Sequence, residues 1–521
     1  MFDIIIKEGD IIDGTGRARY RADIGIVGDR ITAIGELGSE PARTAISAAG
    51  KIVAPGFVDT HNHSDGWLLK EPHLEAKTRQ GFTTEVIMSD GISYAPLDEH
   101  TAPEWLFYMR SLNALQFSDY DGWLSLADYM SRIDGNNVQN AITQIPYANL
   151  RTMACGFSRC VPDDVQMRDI RAAVEQGMAE GAVGLSTGLD YVSQCYASTD
   201  ELVEVCTAMA PQKGIYATHM RYKKGTLPAL KEAVEIGRRA DVPVHISHLK
   251  SADPQEAEEI LEYIDGTARN EVDFTFDVYP YLPGSTTLDF LLPYEIWEDG
   301  PLAAFAKLAD PRLRTRVAAG LETAGLDRGR IAWLPGKENS IHLGKTLSEY
   351  IDFVGKPPED AICDLLIEEQ LSVLCVYHHG ADDLVHPFLT HDCYMMGSDG
   401  VYFPDGLIHP RMYGSAPRLL GPCVRDHKLF SLEEAVRKLS GHAAERFGLT
   451  RRGHLKEGYF ADVVIFDPAT VVDRATFEDP HQYPEGIESV LVNGVVIIEN
   501  SRGVEDLSRP LPGRYLKFNS V

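Results

Sequence analysis

The stretch Pro55-Gly56-Phe57-Val58-Asp59-Thr60-His61-Asn62-His63 combines a turn, a short apolar run and two histidines. Side chains alternate along a β-strand, so His61 and His63 project to the same side and can hold one metal ion together. The pair closes the run directly after a Pro-Gly turn. We interpret this stretch as the first strand of a central domain, ending at a metal-binding active site.

Outward from this stretch, short apolar runs alternate with helix-patterned segments from residue 56 to 449. This order predicts parallel strands with crossover helices, and the number of units fits an α/β fold of the (β/α)8, TIM-like barrel type. A segment near 288–345 fits the alternation poorly and is interpreted as an insertion at the barrel mouth. The further candidate strands are Thr83–Met88, Val183–Ser186, Ile215–Thr218, Val244–Ser247, Phe274–Val278, Leu371–Val376 and Tyr394–Gly397.

Short strand patterns also occupy both ends of the chain. In the C-terminal part, Asn493-Gly494 separates two apolar runs and predicts a hairpin with a type I′ turn. Neither end has enough residues to close a core alone. Residues 1–55 and 450–515 are therefore predicted to form one composite β-sandwich beside a barrel of residues 56–449.

Composition excludes several classes of partner. The 49 Lys and Arg residues face 77 Asp and Glu residues, and the net charge of −28 argues against binding nucleic acid or an anionic membrane. No apolar run reaches the ~18 residues of a membrane span. The N-terminal stretch Met1–Lys7 lacks the features of a leader, so a cytoplasmic location is expected. The eight cysteines are scattered, without a Cys-x-x-Cys pair, and are predicted to be reduced thiols.

Three more apolar runs end in a group that can bind metal. His219 and His248 each close a predicted strand, and Asp399 follows another. The strand ends of a barrel converge on one face, so these groups are expected to meet. A carboxylate in Asp399's position is unfavourable unless it is paired or bound to a cation, and beside a metal-bound water it can accept a proton and pass it to a leaving nitrogen. His245, inside its run, is predicted to be structural.

Asp90 ends the run Thr83–Ser89 and precedes Gly91. It is a candidate anionic metal ligand. The alternative is an Asp that hydrogen-bonds the backbone of a turn.

These motifs, in this order, resemble the amidohydrolase superfamily, and more closely its D-aminoacylase (N-acyl-D-amino-acid deacylase) branch. The His-x-His pair marks the superfamily, whereas the Tyr-Pro-Tyr and His-Pro-Arg elements mark the branch. The resemblance covers almost the whole chain. The matching motifs are Pro55–His63, Gly81–Thr84, Asp90–Pro96, Gly184–Leu189, Ala217–Arg221, Ile246–Lys250, Asp277–Tyr281, Gly284–Thr286, Gly397–Gly400 and His409–Arg411.

The resemblance implies a metal centre in which Asp399 is both a ligand and the general acid/base. Asp90 stands where well-known members of the branch have a cysteine. A carboxylate is a harder ligand than a thiolate, so the metal choice widens from Zn²⁺ towards Mn²⁺, Fe²⁺ or Co²⁺. A carboxylate can also bridge, so one or two ions are expected. The other implied ligands are His61, His63, His219 and His248.

The resemblance also implies a small-molecule substrate that carries a carboxylate. Lys250, Tyr281 and Arg411 would grip that carboxylate, since they offer a point charge, a neutral donor and a bidentate fork. Arg221 could serve similarly, and Tyr279 is predicted to lie in the core. The sequence leaves open whether the chain forms a homo-oligomer.

The favoured function is hydrolysis of an N-acyl-D-amino acid to a carboxylate and a D-amino acid. The first alternative is opening of a cyclic amide, such as a hydantoin, a dihydropyrimidine or a lactam. Ring-opening members of the superfamily usually carry a carboxylated lysine as bridging ligand, and the sequence places none here. The second alternative is a non-catalytic scaffold, against which the intact set of histidines and Asp399 argues.

Overall fold

The computed structural model describes residues 1–520, whose strands and helices alternate through the central part of the chain. The strands are β1 (Phe2–Ile11), β2 (Tyr20–Val27), β3 (Arg30–Gly35), β4 (Ala42–Ser47), β5 (Ile52–Pro55), β6 (Phe57–Asp59), β7 (Phe82–Ile87), β8 (Asn140–Thr143), β9 (Ile145–Pro146), β10 (Gly184–Gly188), β11 (Ile215–His219), β12 (Val244–Ile246), β13 (Phe274–Val278), β14 (Gly284–Thr287), β15 (Gly329–Trp333), β16 (Leu374–Tyr377), β17 (Tyr394–Met396), β18 (Val463–Phe466), β19 (Ile487–Val492), β20 (Val495–Glu499) and β21 (Arg502–Gly503).

The helices lie mainly between the strands of the central part. Within residues 1–520, no helix is both long and apolar enough to cross a bilayer. The helices are α1 (Trp67–Lys70), α2 (Glu75–Thr78), α3 (Ala102–Tyr108), α4 (Leu126–Ile133), α5 (Tyr147–Cys155), α6 (Asp164–Glu180), α7 (Thr199–Thr207), α8 (Thr226–Ala240), α9 (Pro254–Tyr263), α10 (Arg269–Glu271), α11 (Pro301–Lys307), α12 (Pro311–Leu321), α13 (Leu347–Val354), α14 (Pro358–Glu368), α15 (His386–Thr390), α16 (Arg411–Arg418), α17 (Leu432–Leu439) and α18 (Gly441–Arg446).

A ring of parallel strands forms the centre of the molecule. β6, β7 and β8 pair in parallel, and so do β9, β10, β11, β12, β13 and β17 in that order. β8 and β9 are separated by one residue and act as one interrupted strand, so the described chain supplies eight strand positions. The ring closes between β17 and β6, where the Thr60 N–H donates to the Met396 carbonyl at 3.3 Å. The predicted (β/α)8 barrel is confirmed.

The barrel strands differ from the predicted ones at two positions. The run Leu371–Val376 was wrongly predicted as a barrel strand, because β16 pairs antiparallel with β14 and β15 in a separate small sheet. A short buried apolar run reads the same in either setting. The sequence missed β8 and β9, since Asn140, Thr143, Gln144 and Pro146 interrupt any apolar pattern there.

Strands from both chain ends enter one further sheet. Its order is β21-β20-β19-β18-β5-β1-β2-β3, with β4 paired to β1, over the part of the chain that the structure describes. Ile6 and Ile26 from the N-terminal strands share a buried cluster with Val463 and Leu491 from the C-terminal ones. This confirms the composite character of the smaller domain. The β19–β20 hairpin turns at Asn493-Gly494 with φ of 49° and 79°, as a type I′ turn requires.

The chain leaves the barrel between β13 and β17. This segment contains the antiparallel sheet β14-β16-β15 and helices α11 to α14, and the predicted insertion near 288–345 lies inside it. β14 and β16 border the cavity at the carboxyl ends of the barrel strands through Ser285, Thr286 and Tyr377.

Candidate active site

The carboxyl ends of five barrel strands carry the predicted metal ligands. β6 leads into the His-x-His pair, β11 ends in a histidine, and β7, β12 and β17 are each followed within three residues by one further ligand. The structure brings all six predicted ligands to one place: His61, His63, Asp90, His219, His248 and Asp399.

Asp90 is shared by two overlapping ligand groups, one with His61 and His63 and one with His219 and His248. Its Oδ1 lies 3.5 Å from His61 Nε2, and its Oδ2 lies 3.6 Å from His63 Nε2. On the other side, both carboxylate oxygens lie 3.9 Å from a histidine nitrogen, Oδ2 from His219 Nδ1 and Oδ1 from His248 Nε2. Ligand atoms around a tetrahedral zinc ion lie about 3.4 Å apart. Asp90 would therefore be a ligand in both groups if each held an ion.

The donors present fit a cation. Within residues 1–520, His61 Nε2 and Asp90 Oδ1 are buried and have no hydrogen-bond partner. An unpaired buried polar group is unfavourable, and a bound cation supplies the missing partner. Burial lowers the pKa of His248 to about 3, which favours the neutral imidazole that a metal ligand needs. Burial also raises the pKa of Asp90 to about 6, a shift that a bound cation would reverse.

Asp399 lies between the ligand groups and a buried arginine. Its Oδ1 is 3.2 Å from His63 Nε2, and its Oδ2 is 2.7 Å from Arg411 Nη1. Burial alone would raise the pKa of Asp399, but Arg411 and His63 hold it well below its ordinary value. The carboxylate is therefore ionised in this site.

Three of the six ligands have left-handed backbone conformations. The φ angles are 59° at Asp90, 40° at His248 and 48° at Asp399. Non-glycine residues rarely adopt this region, and each such residue is strained by about 1–3 kcal/mol. Such strain is concentrated at functional sites, where the surrounding structure holds a side chain in one direction.

Two carboxylates that the sequence analysis did not assign orient the histidines. Asp190 Oδ2 lies 3.3 Å from His219 Nε2, the ring nitrogen that faces away from Asp90. Asp277 Oδ1 accepts from the His248 backbone N–H at 2.9 Å, and its Oδ2 lies 2.8 Å from His245 Nε2. A carboxylate in the position of Asp190 fixes the tautomer and direction of a metal-binding histidine, whereas Asp277 holds the His248 backbone. Asp277 begins one matching motif and Asp190 directly follows another, which was the only signal that the sequence offered.

A buried ionic cluster ties the ends of β6 and β17 together just before the ligands. The Lys77 ammonium contacts the Asp59 carboxylate and donates to Ser398 Oγ at 2.7 Å, while the Ser398 N–H donates to Asp59 Oδ1 at 2.8 Å. All three residues are fully buried. Asp59 is two residues from His61, and Ser398 adjoins Asp399. The cluster therefore holds the backbone in place just before each of these two ligands.

A cavity of about 360 Å³ opens onto the ligand groups. Around His219 it has an aromatic wall, formed by Tyr191, Tyr222 and Phe290, whose ring centroids lie 4.7, 5.0 and 6.4 Å from the imidazole. Lys250 also lines this cavity. A substrate in the cavity therefore meets the metal ligands, an apolar surface and an amine together.

Lys250 and Arg411, two of the predicted substrate residues, both contact the Tyr279 ring. The Lys250 ammonium is 3.6 Å from the Tyr279 ring centroid and donates to the Leu282 carbonyl at 2.9 Å. The Arg411 guanidinium is 4.3 Å from the same centroid and is paired with Asp399, behind the cavity surface. Tyr279 is buried, as predicted, and also lines the cavity.

Tyr281 and Arg221, the other two predicted substrate residues, do not line the cavity. The Tyr281 N–H donates to the Tyr279 carbonyl at 2.9 Å, and this tight turn directs the Tyr281 hydroxyl to Asp473 at 3.0 Å, away from the cavity. Arg221 is buried with its donors on Glu232 at 3.0 Å and on backbone carbonyls. Neither Asp473 nor Glu232 belongs to the motif that contains its partner, so the motifs could not reveal these contacts.

Comparison with known proteins gives full-length matches. The model of the "Amidohydrolase family" matches residues 44–323 and 385–498. A D-aminoacylase of Alcaligenes xylosoxydans xylosoxydans is 36% identical over 501 residues, which is 95% of this chain and 94% of that protein. From the same organism, an N-acyl-D-aspartate deacylase is 33% identical (96% and 93% covered) and an N-acyl-D-glutamate deacylase is 34% identical (95% and 93% covered).

Solved structures agree with these matches. A D-aminoacylase structure concerned with the functional role of its binuclear metal centre superposes with a TM-score of 0.82 at 35% identity, covering 99% of this chain and 100% of that one. An N-acyl-D-glutamate deacylase from Bordetella bronchiseptica, complexed with zinc and a phosphonate that mimics the tetrahedral intermediate, gives 0.83 at 32% identity, with 99% of each chain covered.

Proposed function

Because the chain belongs to the amidohydrolase family and its full-length relatives are D-aminoacylases, we propose that it hydrolyses N-acyl-D-amino acids to a carboxylate and a D-amino acid. The resemblance to the D-aminoacylase branch, predicted from the motifs, is confirmed. One observation carries the proposal: two metal-ligand groups that share Asp90 face a cavity lined by Lys250.

We infer that the resident metal is zinc, in one or two ions. Two histidines and a carboxylate are a ligand set that suits zinc, and the shared Asp90 supports a two-ion centre. Asp90 in place of a thiolate also admits Mn²⁺, Fe²⁺ or Co²⁺. When bound, the metal would acidify a water molecule and polarise the amide carbonyl.

Asp399 moves the proton in this proposal. Its Oδ1 faces the histidines of the ligand groups, and Arg411 keeps it ionised, so it can accept a proton from the attacking water. Once protonated, the carboxyl beside Arg411 is a stronger acid than an ordinary aspartic acid. This property favours transfer of the proton to the departing nitrogen.

Lys250 binds the substrate carboxylate in this proposal. Burial lowers the pKa of Lys250 well below its ordinary value, and an arriving carboxylate stabilises the ammonium form. Tyr279 holds the amine at the cavity surface through its ring. Arg411 acts through Asp399, with which it is paired, and adds positive potential behind the cavity.

Asp90 favours a linear amide over a cyclic one. Ring-opening members of the superfamily usually carry a carboxylated lysine as bridging ligand, whereas the two ligand groups of this chain share Asp90. The buried donors that a cation would satisfy argue against a scaffold without catalytic function.

The test uses paired N-acetyl-D- and N-acetyl-L-amino acids, with hydantoin and dihydrouracil in parallel. The protein is reconstituted separately with zinc, manganese and cobalt, and Asp399→Asn serves as a variant that keeps most of the ligands. We expect release of D-amino acids only, and none by the variant. Ring opening alone, or no hydrolysis of any acyl amino acid by the metal-loaded protein, contradicts the proposal.

A further inference from the structure

The three relatives differ in the substrate side chain but hardly in similarity to this chain. The D-aminoacylase is 36% identical, and the deacylases named for D-aspartate and D-glutamate are 33% and 34% identical. These values do not separate a substrate with one carboxylate from one with two. The residues of the cavity wall do separate these two kinds of substrate, because each buried carboxylate needs its own cation.

The cavity offers one such cation. Among the described residues that line it, Lys250 is the sole lysine or arginine. The lining histidines His63, His219 and His248 belong to the metal-ligand groups. The remaining one, His379, is biased towards its neutral form because burial lowers its pKa. The α-carboxylate of an N-acyl amino acid therefore takes the available cation, and a second carboxylate finds none.

Two further cations, Arg411 and Lys223, do not line the cavity. Arg411 is ion-paired with Asp399 at 2.7 Å and donates from Nη2 to the Ser285 carbonyl at 3.3 Å, and its Nε and Nη1 are buried without a hydrogen-bond partner among the described residues. The Lys223 ammonium donates to the Phe290 carbonyl at 2.7 Å and lies 4.3 Å from the centroid of the Phe290 ring. Lys223 thus supports Phe290 from behind, and the ring, not the ammonium, forms the cavity surface.

The aromatic wall is shaped for an apolar group. The Phe290 and Tyr191 rings meet edge to face with centroids 5.8 Å apart, and Leu112 lines the same cavity. Tyr191 turns its hydroxyl to Thr286 Oγ1 at 3.4 Å and leaves its ring on the surface. Burying an apolar substrate side chain against this wall is favourable in free energy, whereas the wall cannot solvate a carboxylate.

We propose that the substrate side chain is apolar and packs on the aromatic wall, with Phe290 as a specificity-determining residue, and that N-acyl-D-aspartate and N-acyl-D-glutamate are rejected. This inference rests on the proposed deacylase function. It assigns the chain a substrate class that identity to its relatives leaves open.

The first test compares kcat/KM of the metal-loaded protein for five N-acetyl-D-amino acids: leucine, phenylalanine, glutamine, aspartate and glutamate. We expect leucine and phenylalanine to exceed aspartate and glutamate by at least about 100-fold, since an unpaired charge would have to enter the cavity. Glutamine is isosteric with glutamate and should be better by at least about tenfold. Acidic substrates equal to or better than leucine, or glutamine as poor as glutamate, overturn the inference. No hydrolysis of any of them contradicts the deacylase function itself, which is a separate result.

The second test uses Phe290→Ala and Phe290→Lys, with the exposed Phe353→Ala as matched control. Phe290→Ala should lower kcat/KM for N-acetyl-D-phenylalanine, relative to kcat/KM for N-acetyl-D-alanine, by about 10–200-fold. Phe290→Lys should raise the glutamate-to-leucine ratio by about 100-fold. Metal content and thermal melting of each variant establish that it folds. An equal loss on alanine and phenylalanine, or an unchanged ratio in the lysine variant, removes Phe290 from the specificity role.

Discussion

Asp90→Asn tests whether one carboxylate joins two metal groups. Each oxygen of Asp90 lies within 3.9 Å of a histidine nitrogen in both groups. The substitution therefore weakens both three-ligand groups at once. Loss of one ligand from a set lowers metal affinity by at least about 100-fold, or about 2.7 kcal/mol. The two groups together therefore lose about 5 kcal/mol of binding free energy. His219→Ala, in contrast, weakens one group only.

The assay is metal content by mass spectrometry after equilibration with a chelator of graded strength. If two ions bind, Asp90→Asn should release both at a free metal concentration about 100-fold higher than the wild type does. His219→Ala should release one and retain the other. Thermal melting without metal controls for folding. Retention of wild-type affinity by Asp90→Asn, or the same release curve for both variants, refutes the shared-ligand account.

Four other expectations follow from the site and its support. Asp399→Glu, which keeps the carboxylate but moves it, should lower kcat by at least about 100-fold with KM little changed; a KM effect alone would contradict the proton-transfer role. Tyr279→Leu should raise KM about tenfold by freeing Lys250, whereas Tyr279→Phe keeps the ring and should match the wild type within about threefold; equal effects of both would contradict the support by the ring. Lys77→Met leaves the buried Asp59 carboxylate without its cation and should lower the free energy of unfolding by about 3–5 kcal/mol, measured by urea titration; a change below about 1 kcal/mol would show that the cluster does not support the barrel. Burial raises the pKa of Glu85 to about 8, so the folded state binds this proton more tightly than the unfolded state, and the stability that the proton contributes is lost between about pH 4.5 and 8. Because about 3.5 pH units separate the two pKa values and each unit is worth about 1.4 kcal/mol, Glu85→Gln should gain about 5 kcal/mol on the wild type as pH rises through this window, and a pH-independent difference in melts would refute it.

The metal ligands could be predicted from sequence because each stands at the end of an apolar strand. A polar group there has no packing reason to exist, so His61, His219 and Asp399 stand out without any structure. The barrel followed from the same runs. The prediction missed the barrel strands at 140–146 because they are polar. It also assigned the buried run of β16 to the barrel, although this run pairs in another sheet.

The supporting residues could not be predicted, because their partners are distant in sequence. Lys77 lies in the short helix α2 and donates to Ser398, which follows β17 and is 321 residues away in sequence. Tyr281 and Arg221 belong to matching motifs, but a motif gives residue identity and not direction. The turn at Tyr279 directs the Tyr281 side chain, and the ion pair with Glu232 directs the Arg221 side chain.

Chiral analysis of racemic N-acetyl-leucine hydrolysis measures whether the protein is a metal-dependent deacylase that is specific for the D-enantiomer. The same preparation is assayed as purified, after chelator treatment, and after reconstitution with zinc. We expect that D-leucine alone appears, that the chelator abolishes the reaction and that zinc restores it. Release of L-leucine, or undiminished hydrolysis by the metal-stripped protein, would contradict this expectation.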